Sequence, residues 1–281
     1  MKISIIGNCQ LIPFAKELRK NNKVNVEFTS PYANIDKINE FLKTIKECDV
    51  FIATLTKNGY REDVELGTEF LISNLSSKTV SIVVPSVYYS GYFPTYGSYK
   101  EFDALSYSFE TKSFYFSKYH DYLAINLADK GVFDFDYETL SKFNYYEIIE
   151  INQKKTFEDL REKEKKCDII ISDFIESISN KELCFYTYNH PNDKILFFLY
   201  NQILKKINFE LNINFEQNNY LSNDKSYVHN FVLDYFNLKQ NEFMNNEIFN
   251  KIINHYKDKK LEINYNSNYY INSSKILEKI I

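Results

Sequence analysis

Over the first 85 residues, short apolar runs alternate with longer stretches of mixed apolar and polar positions. Each of four short apolar runs predicts a strand, and the first three are followed by stretches whose apolar positions have helical spacing. The predicted strands cover 2–7, 23–28, 49–55 and 79–85, and the predicted helices cover 11–21, 35–46 and 62–75. Strands that alternate with helices of this length form parallel sheets with right-handed crossovers. The pattern therefore predicts an α/β fold.

The remaining pattern is mainly helical. It predicts a loop at 86–97, an extended segment with a turn at 182–192, and helices at 117–131, 155–179 and 193–207. The Asn-rich remainder is helical at best, and no Ser/Gly linker divides the chain. We predict an α/β catalytic domain over 1–205 and a mainly helical C-terminal extension, 206–281, packed on the same domain.

Composition and charge exclude several classes of protein. The net charge of −4 argues against nucleic acid as a partner, since neutralising phosphates requires a basic surface. No apolar run approaches the ~18 residues of a transmembrane helix, and the N-terminus lacks the layout of a signal peptide. The cysteines form no CxxC pair and have no zinc spacing, so we expect neither a metal nor disulfides, and a cytoplasmic, reduced protein. They are Cys9, Cys48, Cys167 and Cys184.

The turn after the first strand is the first candidate for chemistry. Gly7, Asn8, Cys9 and Gln10 lie between that strand and a helix whose first turn contains Pro13. Ligands bind at the carboxyl edge of open α/β sheets, and a helix N-terminus lowers the pKa of a nearby thiol. Cys9 is therefore either a reactive thiol or a small buried residue that fills the turn. Cys48 and Cys167, each before an Asp-led apolar run, are predicted to be buried and inert.

A nucleophilic cysteine needs a base, and the chain contains four histidines. His190, in "TYNHPN", lies directly before Pro191 and a predicted helix that begins near Asn192. It is either the base or an ordinary turn histidine. His229 and His255 are in helical, Asn-rich surroundings and are predicted to lie at the surface.

Three further segments offer binding groups. The loop "PSVYYSGYFP" offers Tyr89, Gly91 and Tyr92 for close approach and hydrogen bonding, unless it is an aromatic surface loop. Arg61 follows the third strand and offers a planar fork for a phosphate or carboxylate, unless it is a solvated arginine paired with a neighbouring acid. His120, in "YHD", either orients a substrate hydroxyl or belongs to the exposed face of a helix.

Taken in order, five segments resemble one family. They are "IIGNCQ" (5–10), "GYREDVELGTEFL" (59–71), "VPSVYYSGYFP" (84–94), "YHD" (119–121) and "NHPN" (189–192). The ordered set resembles the WcbI-type polysaccharide biosynthesis family over roughly residues 1–205. The resemblance implies a cytoplasmic bacterial enzyme of capsule biosynthesis that binds coenzyme A and transfers an acetyl group to a sugar. It also implies a parallel-sheet, three-layer Rossmann-like core distantly similar to SGNH hydrolases.

The same resemblance implies roles for individual residues. Cys9 stands where an SGNH nucleophile stands, and His190 stands where the late histidine stands. Arg61 would meet the coenzyme phosphates. The sequence departs from the hydrolase pattern three residues before the histidine, where Thr187 replaces the usual Asp. The oxyanion and substrate-binding candidates are Gly7, Asn8, Gln10, Tyr89, Gly91, Tyr92, His120 and Asn192.

Three functions are compatible with these residues. The first is an O-acetyltransferase that uses acetyl-coenzyme A and a sugar or capsular polysaccharide precursor, without a metal. The second is a carbohydrate esterase, with the same machinery and water as the acceptor. The third is a non-catalytic protein that binds a glycan or nucleotide sugar among capsule assembly proteins.

Overall fold

The fold is described from a computed structural model. It describes residues 1–62, 64–98, 104–108, 113–117, 119–136, 138–210, 219–223, 225–239, 246–257 and 268–280. The chain forms two compact units. Unit 1 comprises Met1–Val87, Glu158–Glu176 and Pro191–Leu221, and unit 2 comprises Tyr88–Phe157, Ser177–His190 and Ser222–Ile281. The domain boundary that we placed after residue 205 stays a prediction.

Unit 1 contains a four-stranded parallel sheet. Its first part runs β1 (Lys2–Ile6), α1 (Ile12–Arg19), β2 (Asn25–Thr29), α2 (Ile35–Thr44), β3 (Val50–Thr54), α3 (Thr68–Ser73) and β4 (Val80–Val84). The strand order is β2-β1-β3-β4, and every neighbouring pair is parallel. The α/β fold predicted from the sequence is confirmed. The four predicted strands differ from the observed ones by at most two residues at either end.

The two faces of this sheet bury different helices. Apolar residues of α2 and α3 form one core cluster with Ile6, Phe51 and Ala53, which share a face of β1 and β3. Side chains alternate across a strand, so Thr54 points to the other face. There its hydroxyl lies against Gly7, beside Leu11 at the start of α1. Helices therefore lie on both faces, and the β1–α1 and β3–α3 connections leave the sheet on opposite sides.

The edge strand β4 is capped by a later part of unit 1. The backbone N–H of Asp168 donates to the carbonyl of Val83 at 2.8 Å, and the Asp168 carboxylate accepts from the Val83 N–H at 2.7 Å. An exposed sheet edge offers unpaired backbone groups to other chains. Asp168 satisfies both polar groups of Val83 with one residue.

The helix predicted over 155–179 is wrong, because the chain breaks in its middle. The observed helices are α6 (Tyr146–Glu164) and α7 (Ser172–Ser179). Glu164, which is buried, accepts hydrogen bonds from the backbone N–H groups of Ile171 and Ser172 at 2.7 and 2.8 Å. A carboxylate that satisfies the first amides of a following helix fixes a helix start, and a continuous helix would not leave those amides available.

Unit 2 contains short antiparallel pairs and helices. The pairs are β5 (Tyr96–Ser98) with β8 (Tyr119–Asp121) and β6 (Ala104–Ser108) with β7 (Ser113–Ser117). A hairpin joins β9 (Phe185–Thr187) to β10 (His190–Pro191). The other described helices of unit 2 are α4 (Tyr122–Asp129), α5 (Glu138–Ser141), α9 (Asn230–Tyr235), α10 (Asn246–His255) and α11 (Asn268–Ile280).

The remaining helix, α8 (Asp193–Lys206), belongs to unit 1 and agrees with the prediction over 193–207. Two predicted helices begin or end elsewhere: residues 119–121 of the predicted 117–131 helix form β8, and α3 covers only part of 62–75. Among the described residues, no helix combines the length and apolar character needed to cross a bilayer.

Candidate active site

The carboxyl edge of the unit 1 sheet has the geometry of a ligand site. β1 and β3 are neighbours, yet their connections leave the sheet on opposite faces. Ligands of open α/β sheets bind in the crevice outside the carboxyl ends of two such strands. The turn that contains Cys9 follows β1, and the loop that contains Arg61 follows β3.

The turn around Cys9 is held by its own backbone and by Asn8. The Gly7 N–H donates to the carbonyl of Thr29 at 3.1 Å, which prolongs the β1–β2 pairing by one residue. Asn8 then caps a 3₁₀ turn, Cys9–Leu11, by accepting from the N–H of Gln10 at 3.0 Å. α1 begins directly afterwards with Pro13 in its first turn. Cys9, which is partly exposed, therefore lies at the start of the helical segment, as the sequence predicts.

Gly7 is required by close packing at this turn. A Cβ atom at Gly7 would lie 2.6 Å from Leu11 Cδ1 and 2.9 Å from Thr54 Oγ1. Both distances are shorter than van der Waals contact allows. A side chain at position 7 would therefore displace Leu11, which follows Cys9 by two residues in the same 3₁₀ turn.

Two side-chain contacts join this turn to the segment after β4. Asn8 Nδ2 donates to Ser86 Oγ at 3.3 Å. Gln10 Nε2 donates to the carbonyl of Val87 at 2.6 Å, and the N–H of Val87 donates to Gln10 Oε1 at 3.0 Å. Because β3 lies between β1 and β4, these contacts cross the end of the central strand. Asn8 and Gln10, predicted as substrate-binding residues, thus have structural contacts of their own.

Tyr200 of α8 contacts the turn around Cys9 and the helix that follows it. Its hydroxyl donates to the carbonyl of Gln10, and its ring stacks on Phe14 with the centroids 4.8 Å apart. Burial raises the pKa of Tyr200 well above its ordinary value, and nearby acidic groups, Cys9 among them, raise it further. The hydroxyl therefore remains protonated and continues to donate. No sequence pattern predicted that Tyr200 would contact this turn.

The other three cysteines have the surroundings of unreactive thiols. Cys48 is buried and donates from Sγ to the carbonyl of Ile45 at 3.0 Å, and burial raises its pKa. Burial also raises the pKa of Cys167, to about 12. Cys184 is fully buried, with Sγ 3.4 Å from the Tyr92 hydroxyl. Cys48 is buried as predicted, whereas Cys167 is only partly buried.

The loop "PSVYYSGYFP", which we call the Gly/Pro/Tyr loop, contributes Tyr89 and Tyr92 to the core of unit 2. Tyr89 and Tyr92 are fully buried, in edge contact with their centroids 4.7 Å apart. Tyr89 also stacks on Phe185 at 5.2 Å. A Cβ atom at Gly91 would lie 2.6 Å from the Tyr89 ring, so the glycine allows this packing. The alternative reading as an aromatic surface loop is wrong for these two rings, and their role in substrate binding stays a prediction.

His190 ends one segment of unit 2. The hairpin that carries it is joined to the Gly/Pro/Tyr loop, because the N–H of Tyr89 donates to the carbonyl of Tyr188 at 2.9 Å. Thr187, at the position of the usual acid, is buried and its Oγ1 lies 3.0 Å from Asn189 Oδ1. The role of His190 as a base stays a prediction.

Asn192, in unit 1, caps α8 by accepting from the Ile195 N–H at 3.2 Å. Because this cap uses its side-chain oxygen, the structure gives Asn192 a folding role. Its role in substrate binding stays a prediction.

Arg61 braces two loops of unit 1. Its Nη1 donates to the carbonyl of Ala33 at 2.7 Å and lies 3.4 Å from the carbonyl of Pro31. The loops after β2 and β3 thus meet at the carboxyl edge. Both of these contacts of the guanidinium are with the protein backbone, so coenzyme binding by Arg61 stays a prediction.

His120 and Asp121 of the "YHD" segment are buried, so the reading of His120 as part of the exposed face of a helix is wrong. The segment forms β8, where the Nδ1 atom of His120 lies 3.0 Å from the Tyr256 hydroxyl. Asp121 Oδ2 lies 2.8 Å from His229 Nε2. The prediction that His229 lies at the surface is also wrong, because it is fully buried. The flanking apolar and aromatic residues of "SYVHNFVL" were the missed signal.

Comparison with known proteins identifies the family and the fold of this chain. The model of the family described as polysaccharide biosynthesis enzyme WcbI matches residues 2–212. A solved structure of WcbI, described as a native protein without a disulfide bond between coenzyme A and one of its cysteines, has a TM-score of 0.76. It covers 99% of this chain and 94% of its own at 17% identity, which shows a shared fold. No curated protein matches the chain.

Proposed function

Because the chain belongs to the WcbI family of polysaccharide biosynthesis enzymes, we propose that it is an O-acetyltransferase that acetylates a capsular sugar from acetyl-coenzyme A. The observation that carries this proposal is the position of Cys9. It opens a helical segment at the carboxyl edge of a parallel sheet, beside the point where two neighbouring connections diverge. The coenzyme is supported by the family and by the coenzyme A named for the solved WcbI.

The proposed chemistry has two transfers. The Cys9 thiolate attacks the thioester carbonyl, the C–S bond to coenzyme A breaks, and coenzyme A leaves as its thiolate. The acetyl group is then a thioester on Cys9 Sγ. A sugar hydroxyl attacks this carbonyl and gives its proton to His190, and the Cys9 thiolate leaves. An acetyl ester of the sugar is the product, and the proton on His190 passes to solvent, from which the coenzyme A thiolate released in the first transfer takes one proton.

Each transfer creates an oxyanion that needs donors. The side-chain amide of Asn8 has two hydrogens, and one is directed to Ser86. The other has no acceptor among the described residues, so it is the donor that we assign to the oxyanion. The backbone N–H of Gln10 is not assigned this role, since it donates to Asn8.

The test is acetylation of Cys9 by the coenzyme alone. Purified protein is mixed with acetyl-coenzyme A and examined by intact mass and peptide mapping. We expect one acetyl group on Cys9 in the wild type and none in Cys9→Ser, with Cys48→Ser as the matched control that still becomes acetylated. Acetylation of all four thiols at similar rates, or of none, would contradict the acetyl-cysteine route of this proposal.

The proposal also predicts the compartment in which the enzyme acts, and it differs from an esterase function in its products. Acetyl-coenzyme A is a cytoplasmic metabolite, so the enzyme acts in the cytoplasm on a polysaccharide precursor. An esterase would release acetate from an acetylated sugar and leave acetyl-coenzyme A intact. A thiol reagent that detects free coenzyme A separates these two functions, because only the acetyltransferase releases coenzyme A from acetyl-coenzyme A.

A further inference from the structure

Two exposed tyrosines lie at the carboxyl edge of the unit 1 sheet. Tyr32, in the loop after β2, is 64% exposed, and Tyr60, in the loop after β3, is 37% exposed. Their ring centroids are 6.1 Å apart and their planes meet at 69°. β1, which leads to Cys9, lies between β2 and β3. The two rings therefore stand on the loops that flank the Cys9 turn.

These rings are exposed on loops that the fold holds in place. Arg61 ties the two loops together through the carbonyls of Ala33 and Pro31. The Glu65 carboxylate accepts from the backbone N–H of Gly59 at 3.0 Å and of Gly67 at 2.6 Å. Leu66, between the two, is fully buried in the core. Exposed ring surface on loops that such hydrogen bonds hold together is a common feature of binding sites.

The charge around the rings indicates which ligand they suit. The described residues from 55 to 69 carry two cations and three carboxylates, and the loop at 30–34 is uncharged. The cations are Lys57 and Arg61, and the carboxylates belong to Glu62, Glu65 and Glu69. This excess of carboxylates repels phosphate groups. Neutral sugars lack that penalty, and their hydroxyl groups donate to carboxylates.

We propose that Tyr32 and Tyr60 form the subsite for a neutral pyranose ring of the acceptor sugar. This inference rests on the proposed function and names where its acceptor binds. The apolar C–H face of a pyranose packs on an aromatic ring, and carboxylates at the rim accept its hydroxyls. The adenine of coenzyme A also stacks on aromatic rings, but its attached phosphates would lie beside the carboxylates of the 55–69 loop. Arg61 is then a positioning residue, which sets the spacing of the two rings.

The test uses saturation-transfer NMR, which detects millimolar binding. The probes are the methyl pyranosides of glucose, galactose and mannose, and adenosine 3′,5′-bisphosphate stands for the nucleotide end of the coenzyme. We expect at least one methyl pyranoside to receive saturation from the wild type. Tyr32→Leu and Tyr60→Leu should each weaken that binding about fivefold, the factor that corresponds to about 1 kcal/mol of ring contact.

Tyr146 provides a matched control. It is 48% exposed and its ring is in edge contact with Tyr235 at 5.0 Å, but it lies at the start of α6. Tyr146→Leu should leave pyranoside binding unchanged. The proposal is overturned if no pyranoside binds the wild type, if the Tyr32 and Tyr60 variants bind it equally well, or if they lose the bisphosphate instead.

The acetylation of Cys9 separates this inference from the proposed function. Tyr32→Leu and Tyr60→Leu should become acetylated on Cys9 by acetyl-coenzyme A at the wild-type rate. If they do so and still bind pyranosides normally, the subsite is wrong and the acetyltransferase stands. If the wild type does not become acetylated, the acetyl-cysteine route of the proposed function is wrong, whatever the tyrosine variants bind.

Discussion

The side chain of Gln10 and the backbone of Val87 form two opposed hydrogen bonds, of 2.6 and 3.0 Å, in a buried environment. The side-chain amide of Gln10 thus makes the two hydrogen bonds that the backbone of a neighbouring strand would make with Val87. It joins the turn of the candidate nucleophile to the segment after β4.

Gln10→Ala should lower the stability of the protein by about 2–4 kcal/mol, because it leaves the N–H and the carbonyl of Val87 buried without partners. The measurement is the shift in the urea unfolding midpoint. Gln202→Ala is the matched control, since Gln202 makes an exposed hydrogen bond to the carbonyl of Ile170. Equal effects of the two variants would show that the Gln10 contacts do not stabilise the turn.

The four thiols should differ in their rate of alkylation. Burial raises the pKa of Cys48 and of Cys167, the latter to about 12, so both hold little thiolate at neutral pH. We expect iodoacetamide at pH 7.5 to label Cys9 first, as its place before a helix predicts. Peptide mapping over time measures the four rates in one sample. Labelling of Cys167 as fast as Cys9 would remove the argument for a reactive Cys9.

The buried pair of Asp121 and His229 should contribute to the stability of unit 2. Asp121→Asn keeps the size of the side chain and its cap on the Leu123 N–H, but weakens the contact with His229. We expect a loss of about 2–4 kcal/mol. Glu247→Gln, which weakens an exposed ion pair with Lys251, should not change the melting temperature. If Asp121→Asn did not change the stability of the protein, the buried contact between Asp121 and His229 would be energetically neutral.

Alkaline pH should unfold the protein cooperatively. Burial raises the pKa of several tyrosines, among them Tyr89, Tyr92, Tyr145, Tyr200 and Tyr256. A group whose folded pKa is raised contributes full stability below its unfolded pKa, about 10 for tyrosine, and loses it as the pH rises above that value. We expect tyrosinate absorbance to rise in two phases. The exposed tyrosines titrate first, and the buried ones follow together with the loss of circular dichroism.

A single phase without loss of structure would contradict this assignment. It would mean that the buried hydroxyls exchange protons with solvent in the folded protein. Tyr200→Phe is a useful comparison, because it removes one buried hydroxyl and also the donor to the Gln10 carbonyl.

The sequence predicted the parts of the fold that depend on local periodicity. β1, β3 and β4 are mainly apolar runs, whose positions follow from burial on both faces, and β2 alternates between polar and apolar residues. The break between α6 and α7 did not follow, because it depends on Glu164, whose carboxylate binds amides seven and eight residues further along the chain. A periodic pattern carries no information about such a contact.

The candidate site, like the fold, was predicted only where it depends on local sequence. The turn at Cys9 was predicted, since Gly7 and Pro13 mark a strand end and a helix start. The contacts that hold it were not, because Val87 and Tyr200 are 77 and 190 residues away from Gln10. His229 was misread for a related reason: its partner Asp121 is 108 residues away, and the Asn-rich composition around it indicated a surface.

The last prediction concerns Cys9 and His190, which the sequence assigns to one catalytic pair. If His190 serves the same step as Cys9, losing either residue disables that step, and the losses should not add. Cys9→Ala, His190→Ala and the double variant should then show similar residual acetyl transfer, each far below the wild type. His255→Ala is the control, because His255 is partly exposed at the end of α10 and has no assigned role.

The pattern of the three activities distinguishes the possible mechanisms. Additive losses would mean that the two residues act in separate steps. A Cys9→Ala variant that kept most of its transfer while His190→Ala lost it would exclude the acetyl-cysteine intermediate. His190 would then deprotonate the sugar hydroxyl for direct attack on the coenzyme thioester, and Cys9 would only line the site. The intact mass of each variant after acetyl-coenzyme A decides between these readings, since only a covalent route leaves an acetyl group on the protein.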